Sequence, residues 1–178
     1  AVSFKKDAAV NIKDRVVKRC GSELASRFDS MTFDAFAKSL VDQFLNAIPI
    51  QYRPLRNYEI IDDKYLIKLL RENEIFNYQH NYQYMKEIDK ITSDKLPFNH
   101  ENNVKELWGY IANEDGAKKC YLTFRMINRL AEYLIRSNTM IKKVLNMTYS
   151  HIFLDEYQDT TSLQYDLLLS CFYDEDVV

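Results

Sequence analysis

His151-Ile152-Phe153-Leu154-Asp155-Glu156-Tyr157-Gln158-Asp159-Thr160-Thr161 is the stretch that decides the fold. Ile152-Phe153-Leu154 breaks with helical spacing and reads as a short strand buried on both faces. Asp155 and Glu156 follow at its carboxyl end, where open α/β sheets bind their ligands. A carboxylate there can hold Mg²⁺, and its neighbour can orient or deprotonate a water that attacks a phosphate. An isolated Asp-Glu pair is equally a solvated turn. Here the strand, both carboxylates, the Gln158 amide and a third carboxylate at Asp159 share one short span, and Gln164 opens a helix carrying Leu163, Leu167 and Leu168.

Toward the N-terminus, Val2 to Phe4 is a β-like run, followed by Ala8, Ala9, Ile12 and Val16 at helical spacing up to Cys20-Gly21. Met31 to Phe33 is a second short β candidate. Phe36, Ala37, Leu40, Val41, Phe44, Leu45 and Ile48 then predict an amphipathic helix to about Ala47, stopped by Pro49 and Pro54. From there to about Met147 the sequence is helix-rich. Leu66, Ile67, Leu69 and Leu70 form a helix opened by Asp62 or Asp63, Leu107, Trp108 and Ile111 another, and Phe124, Ile127, Leu130, Ala131 and Leu134 a third. Short strands alternating with helices at both ends predict an α/β fold. Its parallel sheet is built from residues 1–48 and 148–178, with an all-helical insertion over residues 49–147.

Composition bounds the function. The 178 residues are 47% hydrophobic with only three Gly and three Pro, enough apolar surface for a core and too few turn formers for an all-β fold. Charges interrupt every apolar stretch, which excludes a membrane span. Lys5, Lys6 and Asp7 stand where a signal peptide needs apolar residues, so the expected location is the cytoplasm. Cys20, Cys120 and Cys171 lack CxxC spacing and read as reduced, mostly buried thiols, while His80, His100 and His151 lack metal-ligand spacing. Residues 1–19 carry six cations against two anions, and residues 149–178 carry seven anions with no Lys or Arg. Such ends are either solvated faces or a phosphate-binding start and a cation-binding finish. Phe76, Tyr78, Tyr82 and Tyr84, interleaved with His80 and several Asn and Gln, either pack between helices or offer stacking faces to single-stranded bases. Lys118-Lys119 is either a polar loop or a duplex-phosphate contact.

The stretch Asp155-Glu156-Tyr157-Gln158-Asp159-Thr160, preceded by its apolar strand and followed by Gln164, resembles motif II (Walker B) of the UvrD/Rep family of superfamily 1 DNA helicases. Val2-Ser3-Phe4-Lys5-Lys6-Asp7-Ala8-Ala9, continuing to Arg15-Val16, resembles that family's motif Ia. Ser30-Met31-Thr32-Phe33-Asp34-Ala35-Phe36 resembles the T-F-H-S-F motif that follows it. The three resemblances occur in family order, with the helical block where the family inserts a helical subdomain. Lys5, Lys6, Asp7, Asp34 and Ala35 depart from the family's usual residues. A carboxylate at Asp34 would repel a DNA phosphate unless paired.

The resemblance implies a partial RecA-like (P-loop NTPase) sheet with ATP and Mg²⁺ as cofactors. Asp155 would hold Mg²⁺, Glu156 would be the catalytic base, and Gln158, Asp159 and Gln164 would serve the nucleotide site. Ser3, Phe4, Lys5, Lys6, Thr32 and Phe33 would line a single-stranded DNA track near a duplex junction. It also implies 3′ to 5′ movement and a role such as DNA repair. The three glycines, Gly21, Gly109 and Gly116, form no G-x-x-x-x-G-K-[ST] phosphate loop. The expectation is therefore a helicase fragment that needs the rest of its parent chain and is inactive as an ATPase alone. The alternatives are a non-catalytic DNA-binding or protein-interaction module of the same fold, and a superfamily 1 ATPase that translocates without unwinding.

Overall fold

Backbone hydrogen bonds link the two ends of the chain in a small parallel sheet. The computed structural model describes residues 1–98, 103–112 and 119–173, so the readings on His100, Gly116, Lys118 and the acidic residues 174–176 fall outside the described residues. Strand β1 (Val2–Ser3) pairs in parallel with β2 (Met31–Thr32), Val2 opposite Met31 and Ser3 opposite Thr32. On its other side Val2 bridges in parallel to Leu154. The Val2 N–H donates to the Phe153 carbonyl at 2.9 Å, and the Asp155 N–H donates to the Val2 carbonyl at 3.0 Å. β1 is thus the middle of three extended segments, and α1 (Lys6–Ala25) makes the crossover to β2.

Gly21 breaks α1 with φ 80° and ψ 163°, a conformation that essentially only glycine adopts. Lys13 ties down the far side of the break, its Nζ donating to the Ala25 carbonyl at 2.6 Å and to the Phe28 carbonyl. Thr32 ends β2 and caps α2 (Phe33–Gln43), its Oγ1 accepting the Ala35 N–H at 3.1 Å. The α-helix stops at Gln43, before the expected Ala47. The remaining residues tighten into a 3₁₀ turn, Leu45–Ala47, ahead of Pro49.

The central block comprises α3 (Asp63–Glu72), α4 (Asn81–Ser93), α5 (Asn103–Ala112), α6 (Phe124–Ser137) and α7 (Thr139–Thr148). Asp62 caps α3 by accepting the Tyr65 N–H at 2.7 Å. The block is not all-helical as expected. Strand β3 (Glu59–Ile60) pairs in parallel with β4 (Tyr121–Leu122). Two-residue strands show no alternation, and a partner some sixty residues away leaves no local trace.

Helix α8 (Ser162–Phe172) follows the acidic motif, and α6 packs against both α2 and α8. Every residue of α6 from Met126 to Ile135 is buried. One core joins Leu40 of α2, Leu66 of α3, Ile88 of α4, Trp108 of α5, Leu130 of α6 and Leu167 of α8, spanning the terminal parts and the central block. A smaller cluster of Val2, Phe33 and Leu168, with Phe4 and Leu154 against it, lies under the sheet. The 152–154 run is not buried on both faces. Phe153 is 59% exposed, while Ile152 and Leu154 are half-buried. The run has β1 beside it on one edge, and no second strand flanks it among the described residues. An apolar run reads the same in sequence whether or not its second face is covered.

Candidate functional site

The parallel register brings three strand ends to one edge of the sheet. With Leu154 opposite Val2, Asp155 stands level with Ser3, which is itself opposite Thr32. The two terminal motifs and the acidic motif therefore share the carboxyl edge of the sheet, the usual ligand edge of an open α/β fold.

Asp155 is half-buried, and among the described residues its carboxylate accepts no hydrogen bond and forms no ion pair. Glu156 sits in the left-handed region at φ 51° and ψ 45°, which costs a non-glycine residue about 1–3 kcal/mol. That one residue turns the chain from extended backbone into the 3₁₀ turn Tyr157–Asp159 and holds the Glu156 side chain at the exposed mouth of the strand. Gln158 Nε2 donates to Glu156 Oε2, fixing the carboxylate. The turn is closed by the Asp159 N–H to the Glu156 carbonyl at 2.9 Å and the Thr160 N–H to the Tyr157 carbonyl at 3.1 Å. Thr160 Oγ1 is buried without a partner among the described residues. Gln164 faces back toward the turn through a reciprocal cap of α8. Its Oε1 accepts the Thr161 N–H at 3.1 Å, and its own N–H donates to Thr161 Oγ1 at 3.3 Å.

The other predicted site residues divide by burial. Lys5 and Lys6 are exposed at the start of α1, open to a polyanion. Thr32 is half-buried, its oxygen engaged in the α2 cap. Ser3, by contrast, is 1% exposed and donates its hydroxyl to the Lys5 carbonyl at 3.0 Å, and Phe33 is 1% exposed with its ring 5.0 Å from that of Phe4. Ser3 is buried in β1, and Phe33, the first residue of α2, packs against Val2 and Leu168, so both shape the edge from beneath instead of presenting contact atoms. Asp34, out of place beside a phosphate, accepts a hydrogen bond from Asn128 Nδ2 at 3.0 Å, which orients the carboxylate toward α6 without removing its charge. At the opposite end of the strands the Tyr149 hydroxyl donates to Asp29 Oδ2 at 3.0 Å, and burial, reinforced by that carboxylate, pushes the phenol above its ordinary value.

Behind the site lies a buried ionic network that sequence reasoning missed. Arg129, 2% exposed, donates to the Thr92 carbonyl at 2.9 Å and the Ser93 carbonyl at 3.3 Å in the last turn of α4. It also meets Glu132 and Asp166, each at 3.4 Å. Glu132, fully buried, accepts from Arg136 at 2.5 Å and from Ser170 of α8 at 3.4 Å. α6 thus clamps the end of α4 to α8, the helix that follows the acidic motif. The available signal was an opposite-charge pair at i,i+3 inside an apolar stripe.

A Mg²⁺ ion usually takes one or two protein carboxylates and completes its shell with phosphate oxygens and water. Asp155, half-buried and unpaired, fits that role. Among the described residues no group of three His, Cys, Asp or Glu side chains gathers into an all-protein metal cage.

At this sheet edge an Asp-Glu pair stands ahead of a capped helix in an α-rich fold with small parallel sheets, an arrangement compatible with a helicase N-terminal domain. The chain belongs to the UvrD/REP helicase N-terminal domain family, whose model matches residues 1–176. It is 21% identical over 182 aligned positions to the ATP-dependent DNA helicase Rep of Buchnera aphidicola subsp. Baizongia pistaciae (strain Bp), covering 94% of this chain and 26% of that protein. The chain therefore spans about a quarter of the length of this relative. No helix among the described residues is long and apolar enough to cross a membrane.

Proposed function

We propose that the chain is part of the motor of an ATP-dependent DNA helicase or translocase that moves 3′ to 5′ on single-stranded DNA toward a duplex junction, as in DNA repair in the cytoplasm. The observation that carries this reading is the unpaired Asp155 beside a left-handed Glu156 at the carboxyl edge of the sheet. Bound Mg-ATP supplies the phosphoanhydride and the charge that the site is built to meet. Asp155 holds the metal. Glu156 takes the proton of the attacking water, and Gln158 keeps its carboxylate aimed. Asp159 and Gln164 fix the turn between the strand and α8, so that a change at the nucleotide is felt by that helix. Lys5, Lys6 and Thr32, at the same edge, meet the DNA backbone.

The terminal parts, residues 1–48 and 148–178, form part of a RecA-like domain into which residues 49–147 are inserted as a subdomain. The 178 residues contain no G-x-x-x-x-G-K-[ST] loop, so the phosphate cradle comes from elsewhere in the parent chain and these residues alone do not hydrolyse ATP. In the full-length protein, Asp155→Asn and Glu156→Gln each lower DNA-stimulated ATP hydrolysis by about 10²–10⁴-fold and leave single-stranded DNA binding intact. Normal turnover in both variants would overturn the roles given to these carboxylates, whereas no ATP hydrolysis by the wild-type full-length protein would point to a non-catalytic DNA-binding module of this fold.

A further inference from the structure

The aromatic run between α3 and α4 splits into two halves in the structure. Tyr84 is 2% exposed and donates its hydroxyl to the Phe76 carbonyl at 2.6 Å, while the Phe76 and Tyr78 rings stack at 5.3 Å and Tyr78 meets Tyr84 edge-on at 5.2 Å. That half is packing. The other half faces out. Tyr82 is 68% exposed, and its ring lies parallel to the exposed His80 ring, centroids 5.7 Å apart and planes 15° apart.

The base under this pair is rigid and strained. Glu74 and Phe76 are both left-handed, at φ 55° and φ 58°, and a bulky aromatic there is a conformational outlier. The loop is locked by the Ile75 N–H on the Leu70 carbonyl at 2.9 Å and by Arg71 on the Gln79 carbonyl at 3.2 Å. Strain of this kind persists where surrounding contacts over-determine it, commonly at ligand clamps.

The chemistry around the pair is that of nucleotides. From Asn77 to Lys86 there is no carboxylate, and Asn77, Gln79 and Asn81 are exposed amides able to bond base edges. The next carboxylate, Glu87, is 8% exposed and bonded to Lys90 at 3.0 Å. Lys86 lies four residues after Tyr82 on α4 and so shares its face. It is exposed and has no ion pair among the described residues. An acidic peptide would need a cluster of cations here. Arg71 is engaged by the Gln79 carbonyl and the Tyr84 ring, so Lys86 beside a stacked ring pair and a row of amides suits one phosphate and one base.

We propose that Tyr82 and His80 form a stacking platform for an unpaired base of single-stranded DNA, with Lys86 on the adjoining phosphate. This rests on the DNA-handling reading above, and it places a nucleic-acid contact in the central block, away from the acidic motif. The test is fluorescence anisotropy of a labelled oligo-dT with the full-length protein, its variants, and a blunt duplex of equal length. Tyr82→Ala weakens oligo-dT binding about five- to hundred-fold, whereas Tyr82→Phe, which keeps the ring, stays within about twofold of wild type. Lys86→Ala lowers the salt dependence by about one counterion. Because Tyr82 is largely exposed, both Tyr82 variants keep the wild-type melting temperature.

Binding that is unchanged in Tyr82→Ala overturns the platform and leaves the motor reading standing. Equal loss on the blunt duplex overturns the preference for an unpaired base. Absence of wild-type binding overturns the platform as well, and the Asp155 and Glu156 variants then judge the motor reading separately.

Discussion

Replacing Arg129 with Met removes the cation at the centre of the buried network while keeping most of its apolar stem. The Thr92 carbonyl, on a residue only 2% exposed, loses its Arg129 bonds at 2.9 and 3.2 Å, and a buried acceptor left unpaired costs about 1–3 kcal/mol. Glu132 keeps Arg136, and Asp166 keeps Lys95 at 3.7 Å, so the loss is not that of a wholly isolated charge. Breaking a buried ion pair from one side typically costs about 3–5 kcal/mol, and the same range is expected here. For a chain of this size that corresponds to a melting temperature lower by about 6–20 °C. Urea unfolding followed by far-ultraviolet circular dichroism measures it. The sole tryptophan, Trp108, is fully buried and gives an independent fluorescence probe of the same core. Glu132→Leu alone leaves Arg129 with only the partly exposed Asp166 as an anionic partner. The double variant Arg129→Met, Glu132→Leu should therefore cost less than the sum of the singles by about 0.5–3 kcal/mol. A loss below about 1 kcal/mol for Arg129→Met, or strict additivity, would refute the claim that this network clamps α4 to α8.

Glu156→Gly relieves the left-handed conformation, so the folded protein gains up to about 1 kcal/mol in urea unfolding while the full-length protein loses ATP hydrolysis; a destabilised variant contradicts the strain argument. Gly21→Ala meets no atom within 4 Å, so its cost is purely backbone, about 1–2 kcal/mol, and a neutral result means the break in α1 tolerates a side chain. A thiol reagent at pH 8 titrates one cysteine quickly in the folded protein, because Cys20 is exposed while Cys120 and Cys171 are buried; two fast thiols refute this placement. Burial pushes Cys171 up from 9.0 to about 12, so folding favours the neutral thiol; that stability is intact below pH 9 and falls as pH rises toward 12. Cys171→Ala flattens this alkaline decline in a series of urea titrations, and an unchanged slope shows that the thiol does not contribute.

Much of the fold was legible locally. Helices α2, α3, α6 and α8 announce themselves by apolar spacing, and α3 also by the acidic residue that opens it, Asp62. The break at Gly21 was legible for the same reason, since its cause is the backbone of one residue. The β3–β4 pair was not, because two residues carry no period and their partner lies far along the chain. Nor was the exposure of Phe153, which depends on what lies beside the strand and not on its composition. Within the site, residue types and order pointed to Asp155 and Glu156, while the burial of Ser3 in β1 and of Phe33 at the start of α2 depended on the packing of elements distant in the chain.

The sequence by itself pointed to the family and to the acidic motif, because those rest on side-chain identity and close spacing. Tertiary structure alone decided that Asp155 stands level with Ser3, that Asp34 accepts a hydrogen bond from Asn128, that Arg129 ties α4 to α8, and that Tyr82 turns outward while Tyr84 turns in. Each of these is a contact or an exposure set by helices and strands distant in the chain. The free energy of such contacts lies in packing and desolvation, which no local window of sequence contains.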